Sequence, residues 1–519
     1  MDPKTFNDDM AKGYTFQGES IILGAAVLDG KPIKEAFIRI PLSTINRHGL
    51  IAGATGTGKT KTLQVLAEQL SAKGVPTLVM DIKGDLSGIA VRSSGNPKID
   101  ERHALIGLPY IPASSPVEFL SLSNEPGARL RATVSEFGPV LFSKMLDLNE
   151  TQEGVITVIF KFCDDRNLPL LDLEDLKKVI QYITTDGKTE FQAEYGNIMT
   201  TSTGTIVRKL VELEQQGASE FFGEPSFDVQ DLLKRDREGL GIVHVLRLVD
   251  IQDRPKLFST FMLQLLAEIY SVFPEEGDVL KPKLVIFIDE AHLIFENASQ
   301  ALLDQIEVII KLIRSKGVGI FFVTQDPTDV PEKVLSQLGL KIQHALRAFT
   351  AKDRKNIQMS AENFPETPYY KVDQLLTELG TGEALVTALN EKGIPTPLVH
   401  CYMRAPQSRM DILTPDEIKE ILRYSDLAPK YEKSFDRDSA YEILNAKLET
   451  AQSDSHHEVI TNQRKRAVQE KSTLEKVLSS TTTRQIGRTV ATVLTRGLLG
   501  VLGVKTTTRR TTRKKPSWF

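Results

Sequence analysis

The sequence predicts an α/β protein: a mostly parallel, doubly wound sheet, interrupted by a helical insertion and followed by a helical, basic extension. Three observations carry this. A strand-like run, Gly49-Leu50-Ile51-Ala52, leads into a glycine-rich loop, then a helical run, Lys61-Thr62-Leu63-Gln64-Val65-Leu66-Ala67, then a second strand, Pro76-Thr77-Leu78-Val79-Met80-Asp81. Strand, helix, strand at that spacing is a βαβ unit, which sets its strands parallel and buries the sheet on both faces. Short apolar runs then recur between helical stretches, at Gly241–Leu246, Leu284–Ile288 and Gly319–Thr324, with further strands expected near 342–348 and 383–388. From about residue 410 the chain becomes helical and polar.

In chain order, residues 1–45 hold alternating stretches around the turn signal Asp29-Gly30 and read as a small β-hairpin platform. The core is expected over 46–405. Within it, 100–236 breaks the strand–helix rhythm and reads as a mostly helical insertion. There Leu173, Leu176, Val179, Ile180 and Ile183 share one helical face. A long helix is expected at about 254–272, before the apolar strand Leu284–Ile288. Residues 406–480 read as a helical extension. Residues 481–519 hold nine basic and no acidic residues, and read as a partly disordered tail.

At 519 residues, 41% hydrophobic and 25% charged, the chain has the composition of a soluble globular protein of several domains. Its two cysteines, Cys163 and Cys401, lie far apart, which argues against a disulfide scaffold or zinc site and makes a reducing cytoplasm the expected location. The N-terminus lacks the order of a signal peptide, and no apolar run reaches the length of a spanning helix. The net charge of −4 is unevenly spread: residues 461–519 carry +12 and the remainder −16. Such a tail would contact phosphates of a nucleic acid, with Trp518 and Phe519 stacking on bases. Its competing readings are a solubilising segment, a strap on the acidic body, or a membrane-surface helix at 484–504.

The chemistry centres on Gly53-Ala54-Thr55-Gly56-Thr57-Gly58-Lys59-Thr60, a full match to GxxxxGK[ST] between a strand and a helix. The glycines let backbone N–H groups face the phosphates of ATP; Lys59 reaches the β- and γ-phosphates; the Thr60 hydroxyl holds Mg²⁺. Lys61 completes the cofactor-binding run. The second half of such a site is an apolar strand ending in an acid. Leu284 to Asp289 supplies it, with Asp289 on Mg²⁺ and Glu290 polarising the attacking water; helix capping is the alternative. Gln325, at the end of the next strand, would sense the γ-phosphate, or simply cap a loop. Asp81 ends a strand on the same carboxyl edge and either meets the nucleotide or caps the Lys83-Gly84 turn. Asp289-Glu290-Ala291-His292 spells DEAH, but the second lobe of that helicase class is missing, and His292 reads as a helix-start residue. Arg47, Arg314 and Arg347 are candidate charge-neutralising arginines, or solvated surface residues.

Several stretches together resemble the HerA–FtsK group of P-loop ATPases, and look most similar to bacterial HerA-like proteins of the YjgR type. They are Arg47-His48, Asp81-Ile82-Lys83-Gly84-Asp85-Leu86, Leu148-Asn149-Glu150-Thr151-Gln152, Phe287 to His292, Arg314 to Gly319, Thr324-Gln325 and Gln343 to Thr350. The resemblance implies a RecA-like core in a ring, usually a homo-hexamer, that moves along duplex DNA with ATP between subunits. It implies that Arg314 is the inter-subunit finger, Arg47 a second functional arginine and Asp81 an acid near the nucleotide. Archaeal members carry a β-barrel before the core where this chain has about 45 residues, which bears on docking of a nuclease partner and on translocation. The expectation is a Mg²⁺-dependent ATP hydrolase driving a DNA motor. The alternative is a P-loop ATPase acting on a protein or membrane assembly, or a nucleotide switch.

Overall fold

The structure is a computed structural model that describes residues 3–449 apart from 124, 252–253, 278, 296–299 and 433–437. The expected tail at 481–519, with most of the interval before it, lies outside the described residues.

Among the described residues twelve strands form one sheet: β1 Ser20–Leu28, β2 Lys31–Pro41, β3 Gly49–Ala52, β4 Thr77–Asp81, β5 Val117–Ser121, β6 Ala128–Arg129, β7 Val243–Arg247, β8 Leu284–Ile288, β9 Val318–Thr324, β10 Leu340–Gln343, β11 Glu383–Thr387 and β12 Val399–Met403. Their spatial order is β2-β1-β12-β11-β10-β3-β9-β8-β4-β7-β5-β6. From β10 to β6 all neighbours run parallel. From β2 to β10 they run antiparallel.

The continuous apolar runs are explained by coverage on both faces. Leu284, Ile286 and Ile288 of β8 face one core, while Val285 and Phe287 face the other. The first core is capped by the helix Pro255–Val272, which matches its expected span, and by five helices between Val134 and Gln215. In Leu173–Thr184 all five residues expected on the apolar face are buried, and Asp172 caps the helix by accepting from the Asp175 N–H. The second core holds the P-loop helix Lys59–Ala72 and the N-terminal hairpin.

Two parts of the chain hold more than the sequence suggests. The hairpin expected around Asp29-Gly30 is β1–β2; a helix, Pro3–Tyr14, precedes it, and the hairpin joins the main sheet through β12. Phe6, Met10 and Tyr14, spaced at four residues, bury one face of that helix, and the Tyr14 hydroxyl donates to the Pro397 carbonyl at 2.6 Å. Within 100–236, β5 and β6 extend the parallel sheet past β7, and most of the helical part falls in Val134–Gln215. Phe119 and Leu120 are fully buried there, and the nearby Pro and Gly residues mark turns between strands.

The boundary expected at 405/406 falls inside a clamp. Glu68 on the P-loop helix accepts from the Gln407 and Ser408 N–H groups and the Ser408 hydroxyl, and Gln64 donates to Ser408 Oγ and the Arg409 carbonyl. The segment after β12 is therefore part of the core that fixes the P-loop helix. Among the described residues no helix is long and apolar enough to cross a membrane.

Candidate nucleotide site

The site is built where the carboxyl ends of β3, β9 and β8 meet. β9 lies between the other two, with Ala52 opposite Thr324 and Ile288 opposite Phe322. The loops after β3 and β8 therefore come within reach although some 230 residues separate Lys59 from Asp289.

The P-loop is slung between strands. Gly53 N–H donates to the Thr324 carbonyl at 3.2 Å, and Ala54 N–H to the Ala345 carbonyl at 2.8 Å. Gly53 (φ 150°), Gly56 (φ 78°) and Gly58 (φ 114°) all take positive φ. At Gly53 a side chain is also excluded by space, since a Cβ would lie 2.6 Å from His344 Cβ. Lys59 is buried and folds back so that Nζ donates to the Ala54 carbonyl at 3.2 Å, the curl expected of a loop that cradles phosphate. Burial, then the charge of Lys83, lower its pKa, while Glu290, Asp289 and Asp85 oppose that. Those influences place the lysine and the strand-end acids in one electrostatic site.

Asp289 is buried, and its Oδ2 has no hydrogen-bond partner among the described residues. Burial, then the adjacent Glu290 charge, push it up to about 7. An unpartnered buried carboxylate oxygen beside a P-loop is a donor that a hard divalent cation fits, and Asp289 with Thr60 would hold Mg²⁺. Among the described residues no metal-binding cluster of His, Cys, Asp and Glu occurs.

Glu290 sits at φ 47°, the left-handed region, at a backbone cost of about 1–3 kcal/mol. The kink turns its carboxylate among three partners. Lys83, from the loop after β4, forms an ion pair with Oε1; His292 Nδ1 is 3.2 Å and Gln325 Nε2 3.4 Å from Oε2. Burial pushes the carboxyl up, but the Lys83 contact outweighs it and holds the group below the usual range. Gln325 reaches the other way as well, its Oε1 accepting from the Thr55 hydroxyl at 3.4 Å. One amide thus touches both the P-loop and Glu290.

The remaining expected residues divide. Asp81 is buried with its carboxylate engaged: Oδ1 accepts from the Gly84 and Asp85 N–H groups and Oδ2 from Leu86 N–H, at 2.8–3.2 Å. It shapes the loop that presents Lys83. Lys61 donates to the Met410 carbonyl and to Gln64, facing the clamp segment. Arg47 and Arg314 are not brought to this chain's own P-loop. Both precede their strands, β3 and β9, at the amino edge of the sheet. Arg347 is exposed and donates to the Thr377 carbonyl at 3.0 Å.

Two residues of the site have no role assigned by sequence pattern. Lys83 lies in one of the stretches that resemble the family, but its partner becomes evident only once β4 is known to lie beside β8. His344 is wholly buried behind the P-loop, with Nδ1 donating to the Glu383 carbonyl at 2.8 Å and Nε2 accepting from the Thr62 hydroxyl at 2.9 Å. Burial pushes it down to about 4, so it stays neutral. His344→Leu would strip both partners and is expected to cost about 1–3 kcal/mol for each group left unpaired. A lowered urea midpoint would register the loss; an unchanged one would show that the bridge does not hold the P-loop helix.

The helicase HerA-like C-terminal family model matches residues 27–507. The chain belongs to that family of P-loop ATPases. This HerA-like chain is 25% identical over 358 residues to the DNA double-strand break repair helicase HerA of Sulfurisphaera tokodaii, covering 67% of this chain and 64% of the relative. It is 23% identical over 387 residues to the protein of the same name from Saccharolobus solfataricus, covering 73% and 68%. The HerA-like chain thus spans roughly two thirds of the length of these relatives. Among solved structures it is similar to the bacterial conjugative coupling protein TrwB, with TM-score 0.49, 14% identity and coverage of 77% of this chain and 98% of that one. VirB4 of Thermoanaerobacter pseudethanolicus gives TM-score 0.48, 15% identity and coverage of 78% and 100%.

Proposed function

We propose that this HerA-like chain is a Mg²⁺-dependent ATP hydrolase that works in the cytoplasm as an oligomeric motor, a ring of its own copies, on duplex DNA. The observation that carries the chemistry is the meeting of Lys59, Asp289, Glu290 and Gln325 at the ends of three adjacent strands. In this reading the P-loop N–H groups and Lys59 bind the β- and γ-phosphates. Asp289 and Thr60 hold Mg²⁺, which when bound neutralises charge on the transferring phosphoryl group. Glu290, freed from Lys83, orients the attacking water and takes its proton, and Gln325 registers the γ-phosphate between Thr55 and Glu290. Arg314 completes the site of a neighbouring copy.

The DNA reading draws on the names of the two archaeal relatives and on the basic balance of residues 461–519. ATP turnover of the full chain should rise when duplex DNA is added, and DNA binding should weaken steeply as salt rises. Native mass measured beside it should give a closed multiple of the chain mass. Turnover indifferent to DNA at low salt would remove the DNA motor and leave an ATPase acting on another assembly.

A further inference from the structure

The segment after β10 forms a small module with its own core. Ala345, Leu346, Ile357, Leu376, Leu379, Leu385 and Leu398 make a cluster separate from the two cores of the sheet. It joins the helix Ala351–Glu362 to the helix Val372–Glu378. Leu385 lies on β11, so this satellite cluster seats the two helices on the sheet, apart from either large core.

The module meets the nucleotide site on one side and solvent on the other. A cleft of about 420 Å³ has P-loop residues Ala54 and Thr55 with Gln325 and Asp326 along one wall; Arg347, Phe349, Asp353 and Asn356 form the opposite wall. Two hydrogen bonds tie the walls together: Ala54 N–H donates to the Ala345 carbonyl at 2.8 Å, and Asn356 Nδ2 donates to Asp326 Oδ2 at 2.9 Å. Asp326 directly follows Gln325, the residue that touches both Thr55 and Glu290. On the outer side, Phe349 is 86% exposed, and Lys352, Arg354 and Lys355 on the first helical turn are accessible and make no ion pair among the described residues. The one acid between them, Asp353, is engaged in capping the helix, accepting from the Phe349 and Thr350 N–H groups at 2.9 and 2.8 Å. Three accessible cations on one short stretch, on a protein whose body carries net negative charge, suit the phosphate backbone of a duplex.

We propose that residues 349–355 are the element with which the motor grips the phosphate backbone of duplex DNA, and that the Asn356–Asp326 bond passes the state of the nucleotide site to it. This rests on the DNA reading above and names the surface that performs it. When Gln325 changes partner on hydrolysis, Asp326 moves with it, and the helix bearing Lys352, Arg354 and Lys355 is pulled through Asn356. The grip on DNA and the γ-phosphate are thereby linked by a few named side chains.

The test uses the full-length chain with a fluorescently labelled DNA duplex. The triple variant Lys352→Gln, Arg354→Gln, Lys355→Gln keeps good helix formers at these positions. It should bind the duplex at least about tenfold more weakly at moderate salt. Its plot of log affinity against log salt should flatten by about 0.9 for each phosphate that is no longer neutralised. ATP turnover without DNA should stay at the wild-type rate. Asn356→Ala should still bind DNA with wild-type affinity and slope but lose the DNA-stimulated part of turnover. A triple variant with wild-type affinity, slope and stimulation would overturn the proposal, and that is the result if the basic tail alone carries binding. An Asn356→Ala variant that is fully stimulated would overturn the coupling. A wild-type chain that neither binds nor responds to duplex DNA would instead overturn the motor reading itself.

Discussion

Glu290→Gln is expected to lower ATP turnover by about 10²–10⁴-fold while ATP binding persists. The substitution keeps side-chain shape and removes the proton acceptor. Nothing in the cradle for the triphosphate changes: Gly53 and Ala54 are held by the Thr324 and Ala345 carbonyls, and Lys59 by the Ala54 carbonyl. The left-handed backbone at residue 290 is no harder for Gln than for Glu. Without the ion pair Lys83 stays partly exposed, with 38% of its side chain accessible, so solvent takes over much of its charge. Binding measured with a fluorescent ATP analogue and turnover measured by phosphate release therefore separate. Lys59→Ala is the contrast, because it removes the cation that holds the phosphates and should lose binding as well. If Glu290→Gln turned ATP over at the wild-type rate, Glu290 would be a turn residue held by Lys83 and His292, and the proton would have to go elsewhere.

Local pattern carried much of this site, and strand order carried the rest. The P-loop is legible because its spacing, its glycines and its flanking strand and helix occupy one contiguous stretch, Gly49 to Ala67. Asp289 and Glu290 are legible because β8 is apolar throughout and ends abruptly in charge. Lys83 is different. Its ion pair with Glu290 exists only because β4 is neighbour to β8, an adjacency of residues far apart in the chain that periodicity does not encode. His344 reads as one more polar residue at a strand end until β10 is placed beside β3, which sets its Cβ against Gly53 and its ring near Gly58. The helix Pro3–Tyr14 is hidden for another reason: it is a single short amphipathic turn series, and its three buried positions straddle polar residues that favour no fold strongly. β5 and β6 are hidden by the Pro and Gly around them, which mark the ends of short strands as readily as a loop.

Arg314→Ala is expected to reduce turnover by about 10³-fold or more while this chain's own nucleotide pocket stays intact, if the arginine serves another copy's pocket as proposed. Its place in the fold keeps it from its own pocket. Arg314 begins the 3₁₀ turn Arg314–Lys316, directly before β9. Gln325, which reaches the P-loop, follows the far end of that strand. Seven extended residues at about 3.3 Å each put the two ends roughly 20 Å apart, on opposite edges of the sheet. The side chain is exposed and has no ion pair among the described residues, whereas the residues around it are held: Asn46 Nδ2 donates to the Arg314 carbonyl, and His48 ties β9 to the end of the preceding helix through Ile320 N–H and the Ile310 carbonyl. A guanidinium fixed at its base and free at its tip, at the edge away from its own site, is arranged to reach outward. Mixing settles the matter. In rings assembled at random from equal amounts of Arg314→Ala and Glu290→Gln chains, about one interface in four pairs an intact Glu290 with an intact Arg314. Up to roughly a quarter of wild-type turnover should then return from two preparations that are each nearly inactive. Assembled mixtures with no recovery would confine Arg314 to its own subunit's surface, and the ring would need a different residue to close each site.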